Sequence, residues 1–128
     1  MTTMLQVAQR AIDLDRASAF YARLLDAEPA ARFDPPGLVF FDVGGVRLLL
    51  EGGAPPAVIY LRVEDVTATL GRLGPDVTVI SEPHVIFRHD DDRLGPAGHD
   101  EVHAFIEDSE GNTIGLVAFR AATEPSDR

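Results

Sequence analysis

Few side chains in this sequence can do chemistry. The 128 residues include four histidines, 21 acidic residues and 11 arginines, but neither cysteine nor lysine. Without cysteine there is no disulfide, thiolate nucleophile or thiolate metal ligand. Without lysine there is no Schiff-base catalysis and no phosphate-loop lysine. The serines lack the strand–turn–helix context of an activated nucleophile. Chemistry must therefore come from the remaining His, Asp, Glu, Tyr, Ser, Thr and Arg side chains.

His103 is the best candidate for an acid–base group. It lies in the segment 101–107, which contains the apolar run Ala104 to Ile106 and which we expect to be a strand. Side chains alternate between the two faces of a strand. If Val102 packs in the core, His103, Phe105 and Glu107 share the other face. His103 would then work with Glu107 or Glu51 as an acid–base pair. A hydrogen-bonded histidine with a purely structural role is the open alternative.

The other three histidines belong to a polar segment, 84–100, that also contains Asp90, Asp91 and Asp92. An Asp/His-rich loop could bind a divalent cation, although this spacing matches no ligand motif. A solvated loop is the alternative. His84 stands where the segment begins and could turn back over a binding cavity, so it is kept as a candidate binding residue.

Hydrophobic periodicity predicts the elements that position these residues. In the first half, an N-cap at Asp13 or Asp15 opens a helix that continues to Leu25. In the second half, Glu64-Asp65 caps a helix that ends near Leu73. The predicted strands are 5–11, 28–33, 38–43, 46–51, 58–63, 77–80, 101–107 and 113–119, with a further short strand near 85–88.

This order is βαβββ twice, which indicates an internal repeat. Asp13-Leu14 matches Asp65-Val66 at an offset of 52 residues, and Gly45–Leu48 matches Gly111–Ile114 at an offset of 66. The polar segment before the last hairpin absorbs the difference. Glu110-Gly111-Asn112 reads as the turn of that hairpin, because Gly and Asn tolerate a positive φ.

Composition bounds the class of protein. With 45% hydrophobic and 25% charged residues, the chain fits one globular domain over 1–128, made of modules at about 5–51 and 58–119 and a frayed tail at 120–128. The net charge of −10 argues against binding to nucleic acid or to anionic membranes. Since no apolar run reaches membrane-spanning length and the start does not resemble a signal peptide, we expect a cytoplasmic location.

The chain resembles the vicinal oxygen chelate superfamily, which includes glyoxalase I, extradiol dioxygenases and bleomycin resistance proteins. The resemblance rests on the segments 13–25, 44–48, 61–66 and 108–112. It implies an α+β fold in which two βαβββ modules form a curled mixed sheet around a cavity, with the helices outside. It also implies a homodimer, since members of this superfamily commonly dimerise.

The resemblance further implies where a metal would bind. Metal-dependent members carry one ligand on the first strand and one on the fourth strand of each module, and those positions here are Gln6, Leu49, Val58 and Gly115. Only Gln6 has a side-chain donor, and an amide oxygen is a modest ligand for transition metals. We therefore expect no metal and no other cofactor. A glycine at 115 is expected to open space at the floor of the pocket.

The sequence thus predicts a metal-free protein that binds, sequesters or carries a small molecule, similar to the bleomycin resistance type. Apolar walls with a few polar groups are typical of such pockets. The alternative is a lyase, isomerase or oxygenase that uses His103 with a carboxylate, or an atypical metal site. The predicted ligand-binding residues are Gln6, Arg47, Leu49, Glu51, Val58, Tyr60, His84, His103, Phe105 and Gly115.

Overall fold

Each half of the chain folds into one helix and one four-stranded mixed sheet in the computed structural model, which describes residues 1–122. The elements of the first half are β1 (Gln6–Arg10), α1 (Leu14–Leu25), β2 (Ala31–Phe33), β3 (Leu38–Val43) and β4 (Val46–Glu51). Those of the second half are β5 (Ile59–Arg62), α2 (Val66–Leu73), β6 (Val79–Arg88), β7 (His99–Glu107) and β8 (Thr113–Ala121). The predicted α+β fold of two βαβββ modules is confirmed.

The two sheets have the same topology. The strand order is β1-β4-β3-β2 in the first and β5-β8-β7-β6 in the second, and β1–β4 and β5–β8 are parallel pairs. Ala8 pairs with Leu49, and Tyr60 pairs with Gly115. The offsets of 52 and 66 residues that the sequence motifs gave relate these two pairs. The internal repeat therefore holds at the level of single residues.

Both helices begin where the sequence predicts. The Asp13 side chain accepts a hydrogen bond from the Arg16 N–H, so the N-cap of α1 is Asp13 and not Asp15. Asp65 caps α2 in the same way through the Ala68 N–H. A carboxylate at this position satisfies a backbone donor that the helix leaves free and complements the positive end of its dipole.

The residues from Val79 to Arg88 correct one prediction. They form a single ten-residue strand, whereas the sequence suggested two short strands and an irregular segment from His84 onward. Register shifts interrupt the pairing of β6 with β7 between Val79 and Ser81, between Ser81 and His84, and again near Phe87. Each shift breaks the two-residue period by which a strand is recognised, and this hides β6 in the sequence.

The C-terminal end of the chain differs in a smaller way. β8 continues through Arg120 to Ala121, two residues into the segment that was predicted to be a frayed tail. The remainder of that tail, 123–128, lies outside the described residues. Within 1–122, no helix is long and apolar enough to cross a membrane.

The chain groups into two compact units, and the turn of the last hairpin belongs to the first. Unit 1 comprises Met1–Val58 and Glu107–Thr113, and unit 2 comprises Ile59–Ile106 with the chain from Ile114 onward. Within unit 1, Asp108 accepts a hydrogen bond of 2.5 Å from the buried Tyr21 hydroxyl. Asn112 donates its amide to the carbonyl of Arg10. The acidic turn is thus a structural element of the first unit.

Glu110 in that turn is held by α1. Its carboxylate accepts hydrogen bonds from the backbone N–H groups of Ile12 and Asp13 and from the guanidinium of Arg16, at 2.7–3.1 Å. The Glu110 side chain is only 2% exposed. The hydrogen bond from Arg16 outweighs burial and lowers the pKa of Glu110 to about 2. The carboxylate is therefore ionised at neutral pH.

Candidate functional site

Three rings meet on one face of the second sheet, and we call Tyr60, His103 and Phe105 the aromatic cluster. The ring centroids are 5.8 Å apart for Tyr60 and His103, 5.8 Å for Tyr60 and Phe105, and 6.0 Å for His103 and Phe105. Strand alternation predicted that these three side chains share a face, and they do. His103 is buried, whereas 57% of Tyr60 is exposed to solvent.

Gly115 lies beneath this cluster and gives a result opposite to the one expected. A Cβ atom at this position would stand 2.7 Å from Cδ2 of Tyr60 and 3.1 Å from Cε1 of Phe105. The space over Gly115 is therefore filled by the ring of its cross-strand partner Tyr60. The expectation that Gly115 opens room at the floor of a pocket is wrong, because a side chain within the sheet already occupies it.

A carboxylate joins His103 to a second histidine. Nε2 of His103 lies 2.6 Å from one carboxylate oxygen of Glu101, and Nε2 of His89 lies 2.8 Å from the other. Burial by itself raises the pKa of Glu101, but the hydrogen bonds from His103 and His89 together outweigh it, so the net pKa is lowered. Glu101 is therefore an ionised acceptor between two imidazole rings.

Glu101 also corrects the predicted acid–base pair. The carboxylate bonded to His103 is Glu101, not Glu107 or Glu51. Two residues apart on β7, Glu101 and His103 share a face of the strand. The alternation that grouped His103 with Phe105 and Glu107 applies equally in the N-terminal direction, so the signal for Glu101 was present in the sequence.

The sequence suggested that His89 belongs to a solvated loop. In the structure its side chain is instead buried on this face of the second sheet. Its side chain is 3% exposed and packs between the rings of Phe87 and Phe119, at centroid distances of 4.8 and 5.5 Å. Gly95 closes over it, since a Cβ there would lie 2.9 Å from Nε2 of His89. Across residues 1–122, no group of three or more His, Asp or Glu side chains could hold a metal ion.

Two open cavities border the same face. One of about 350 Å³ is lined by Arg62, Val63, Glu64 and Phe119, and the guanidinium of Arg62 stands 4.8 Å from the centroid of the Phe119 ring. The second, of about 410 Å³, is lined by Phe87, His89, Asp91, Arg93 and Leu94. The second sheet therefore presents aromatic surface with one cation placed over a ring.

The remaining predicted binding residues lie elsewhere. His84 lines a different cavity, of about 260 Å³, beside the start of α2. Arg47 donates a hydrogen bond of 3.0 Å to Gln6 and stands 5.6 Å from the ring centroid of Phe40. Leu49 is buried. The predicted binding residues that belong to the first unit are Gln6, Arg47, Leu49, Glu51 and Val58.

The positions that would hold the superfamily's metal do not fit one. Among the four positions, the Gln6 amide oxygen is the one side-chain atom that could coordinate a metal, and it already accepts a hydrogen bond from Arg47. Leu49 and Val58 carry hydrocarbon, and the Tyr60 ring fills the space where a ligand at residue 115 would project. Sites for transition metals use three or four donors. We therefore derive no chemistry through a metal at these positions.

Comparison with solved structures identifies the fold. The antibiotic-binding protein TnmS3 from a Streptomyces species superposes with a TM-score of 0.71 at 20% identity, over 92% of this chain and 96% of that one. A superfamily member from Sphaerobacter thermophilus gives 0.69 at 20% identity, over 92% and 98%. Lactoylglutathione lyase from Agrobacterium tumefaciens gives 0.65 at 21% identity, over 92% and 94%.

Sequence comparison adds no closer relative: neither a protein-family model nor a curated protein matches the chain. Structural likeness at 20–21% identity establishes a shared fold and not a shared activity. The neighbours from Sphaerobacter thermophilus and Alicyclobacillus acidocaldarius carry the name of the superfamily that the sequence motifs indicated. This protein has the fold of the glyoxalase/bleomycin resistance protein/dioxygenase superfamily.

Proposed function

We propose that this protein binds a small aromatic molecule, without a metal, through the aromatic cluster of its second module. The observation that carries the proposal is the Tyr60 ring, which is 57% exposed yet in contact with the ring of the buried His103 and with the half-buried ring of Phe105. Sequestration or carriage of such a ligand, as in the bleomycin resistance type, is the function we infer.

The chemistry of the cluster supports this proposal. Aromatic rings prefer edge-to-face or offset partners at 4.5–7 Å, and a planar ligand over Tyr60 and Phe105 would extend that arrangement. His103 adds one polar group within an otherwise apolar surface, which is typical of small-molecule sites. The antibiotic-binding protein TnmS3 shares this fold, and that likeness is compatible with a ligand-binding role.

Isothermal titration against a panel of aromatic natural products and antibiotics tests the proposal. Truncation of an aromatic side chain that stacks on a ligand costs about 1–2 kcal/mol, so Tyr60→Ala is expected to weaken binding about tenfold. Phe33→Ala is the matched control, because Phe33 in the first module is exposed to a similar degree, 51%. Equal losses for both variants, or no binding by the wild type, would contradict the proposal.

The second candidate function is an enzyme of the lyase, isomerase or oxygenase type that uses His103. The hydrogen bond of 2.6 Å between Glu101 and His103 favours it, because a carboxylate that orients an imidazole is a common general-base arrangement. For an enzyme, His103→Gln abolishes turnover of a bound compound and leaves its binding largely intact. For a binding protein, the wild type releases the same compound unchanged.

We also propose that the protein is a cytoplasmic homodimer. β6 is an edge strand of the second sheet and exposes Ile80, Val85, Ile86 and Phe87 by 43–53%. Apolar side chains along an unpaired edge favour association with another chain. Light scattering coupled to size exclusion is expected to give twice the chain mass of 13.8 kDa. A monomer at 100 µM, on the order of typical assay concentrations, would refute the dimer.

A further inference from the structure

The Glu101 carboxylate determines which ring nitrogens of two histidines carry hydrogen. A carboxylate only accepts hydrogen bonds, and its two oxygens contact Nε2 of His103 and Nε2 of His89. Each Nε2 must therefore be a donor. When His103 is neutral, its single ring hydrogen is on Nε2, and Nδ1 keeps a free lone pair.

Nδ1 of His103 has no hydrogen-bond partner within the described residues. The side-chain hydrogen bond of His103 within the described residues is the one between Nε2 and Glu101. Over the same residues, Ser18 Oγ is the one fully buried side-chain polar atom without a partner. Because His103 does not join Ser18 in this class, its Nδ1 is not fully buried, although His103 as a whole is only 8% exposed. The aromatic cluster thus contains a hydrogen-bond acceptor beside the rings of Tyr60 and Phe105.

We propose that Glu101 is a positioning residue that fixes His103 as an acceptor and so selects aromatic ligands that carry a hydroxyl group. A phenol stacked on Tyr60 and Phe105 donates its O–H to Nδ1 of His103. An aryl ether of the same shape has no hydrogen to donate, and an aryl carboxylate would place an acceptor against an acceptor. This inference rests on the proposed function, since it names the ligand class of the same site.

The experiment compares two probes of one shape, 2-naphthol and 2-methoxynaphthalene, by fluorescence titration at pH 7.5. The wild type is expected to bind the naphthol about tenfold more tightly, the value of one net hydrogen bond. Equal affinity for both probes overturns the inference and leaves the proposed function standing. Failure of both probes to bind overturns the proposed function together with the inference.

Glu101→Lys then tests the positioning role. An ammonium group can only donate, so it requires Nε2 of His103 to accept and moves the ring hydrogen to Nδ1. The ratio of the affinity for 2-naphthol to the affinity for 2-methoxynaphthalene is expected to fall from about ten to one or below. Glu107→Lys is the matched control: it makes the same charge change on the same face of β7, at an exposed side chain, and it should keep the tenfold preference.

Nitrogen-15 NMR spectroscopy of the histidine rings measures which ring nitrogen carries the hydrogen. Because it uses the wild type, it tests the inference even if Glu101→Lys does not fold. In the wild type, the two-bond ¹H–¹⁵N pattern of His103 and of His89 should be that of the Nε2–H form. An Nδ1–H form of His103 in the wild type overturns the inference, even if the naphthol is preferred.

Discussion

Replacement of Gly115 by alanine is expected to change the free energy of unfolding in opposite directions, depending on whether Tyr60 is present. In the wild type, the new methyl group would lie 2.7 Å from Cδ2 of Tyr60 and 3.0 Å from its Cε2. Carbon atoms pack at about 3.5–4.0 Å. The ring must therefore rotate away, and its contacts with His103 and Phe105 are lost.

The magnitude follows from two opposing effects. Displacement of a packed ring by an added methyl group costs about 1–3 kcal/mol. Alanine has an entropic advantage over glycine of about 0.5–1 kcal/mol wherever the backbone suits both residues. The φ angle of Gly115 is not in the left-handed region, so alanine is not strained there. Gly115→Ala should thus destabilise the wild type by about 1 kcal/mol. In a Tyr60→Ala background it should stabilise by about 0.5 kcal/mol, because the Phe105 ring, 3.1 Å from the new methyl group, can shift by a few tenths of an ångström into the space that Tyr60 leaves.

Urea unfolding of the four proteins of this double-mutant cycle measures the effect. The expected coupling energy between Gly115 and Tyr60 is about 1.5 kcal/mol, which is well above the 0.3–0.5 kcal/mol error of additivity for independent sites. The slope of the unfolding free energy against urea concentration should not change, because nearly the same surface area is exposed on unfolding in all four proteins. If alanine had the same sign of effect in both backgrounds, the Tyr60 ring would not occupy the space over Gly115.

Three further outcomes are expected. Tyr21→Phe should lower the free energy of unfolding by about 2 kcal/mol in urea titrations, because it leaves the buried Asp108 carboxylate without its hydroxyl donor. The hydrogen bond from Arg16 is the main cause that lowers the pKa of Glu110 from 4.5 to about 2. The ionised Glu110 side chain therefore stabilises the fold above pH 4.5, and this stabilisation is lost as the pH falls through 2. Glu110→Gln should therefore cost about 2 kcal/mol at pH 7, a value discounted because Arg16 is 57% exposed, and only a small fraction of that at pH 2, where the folded-state carboxyl is half protonated. His84→Ala should change 2-naphthol affinity less than twofold in fluorescence titrations, since His84 lines a different cavity.

Strand alternation was sufficient to predict the core of the candidate site. The two-residue period of β5 and β7 placed Tyr60, His103 and Phe105 on one face, and the three rings are in contact. The repeat offsets from the sequence relate the Tyr60–Gly115 pair to the Ala8–Leu49 pair of the first sheet. They could not show that the ring lies over the glycine, because the side-chain conformation depends on neighbours from other strands.

The parts that the sequence did not reveal depend on irregular backbone and on contacts distant in the chain. Register shifts in β6 removed the period that would have identified it. His89 is buried because Phe119, thirty positions later, and Gly95 pack against it, and no local pattern encodes that contact. Glu101 is a different case, since the alternation that selected His103 also applied to it.

The most direct test of the central claim is an NMR titration of the EDTA-treated protein with 2-naphthol. We expect saturable changes of the backbone amide signals that concentrate on Tyr60, His103, Phe105 and Gly115, with no requirement for added metal. Absence of saturable changes, changes confined to residues of the first module, or binding that appears only after a divalent metal is restored would contradict a metal-free site on the second sheet.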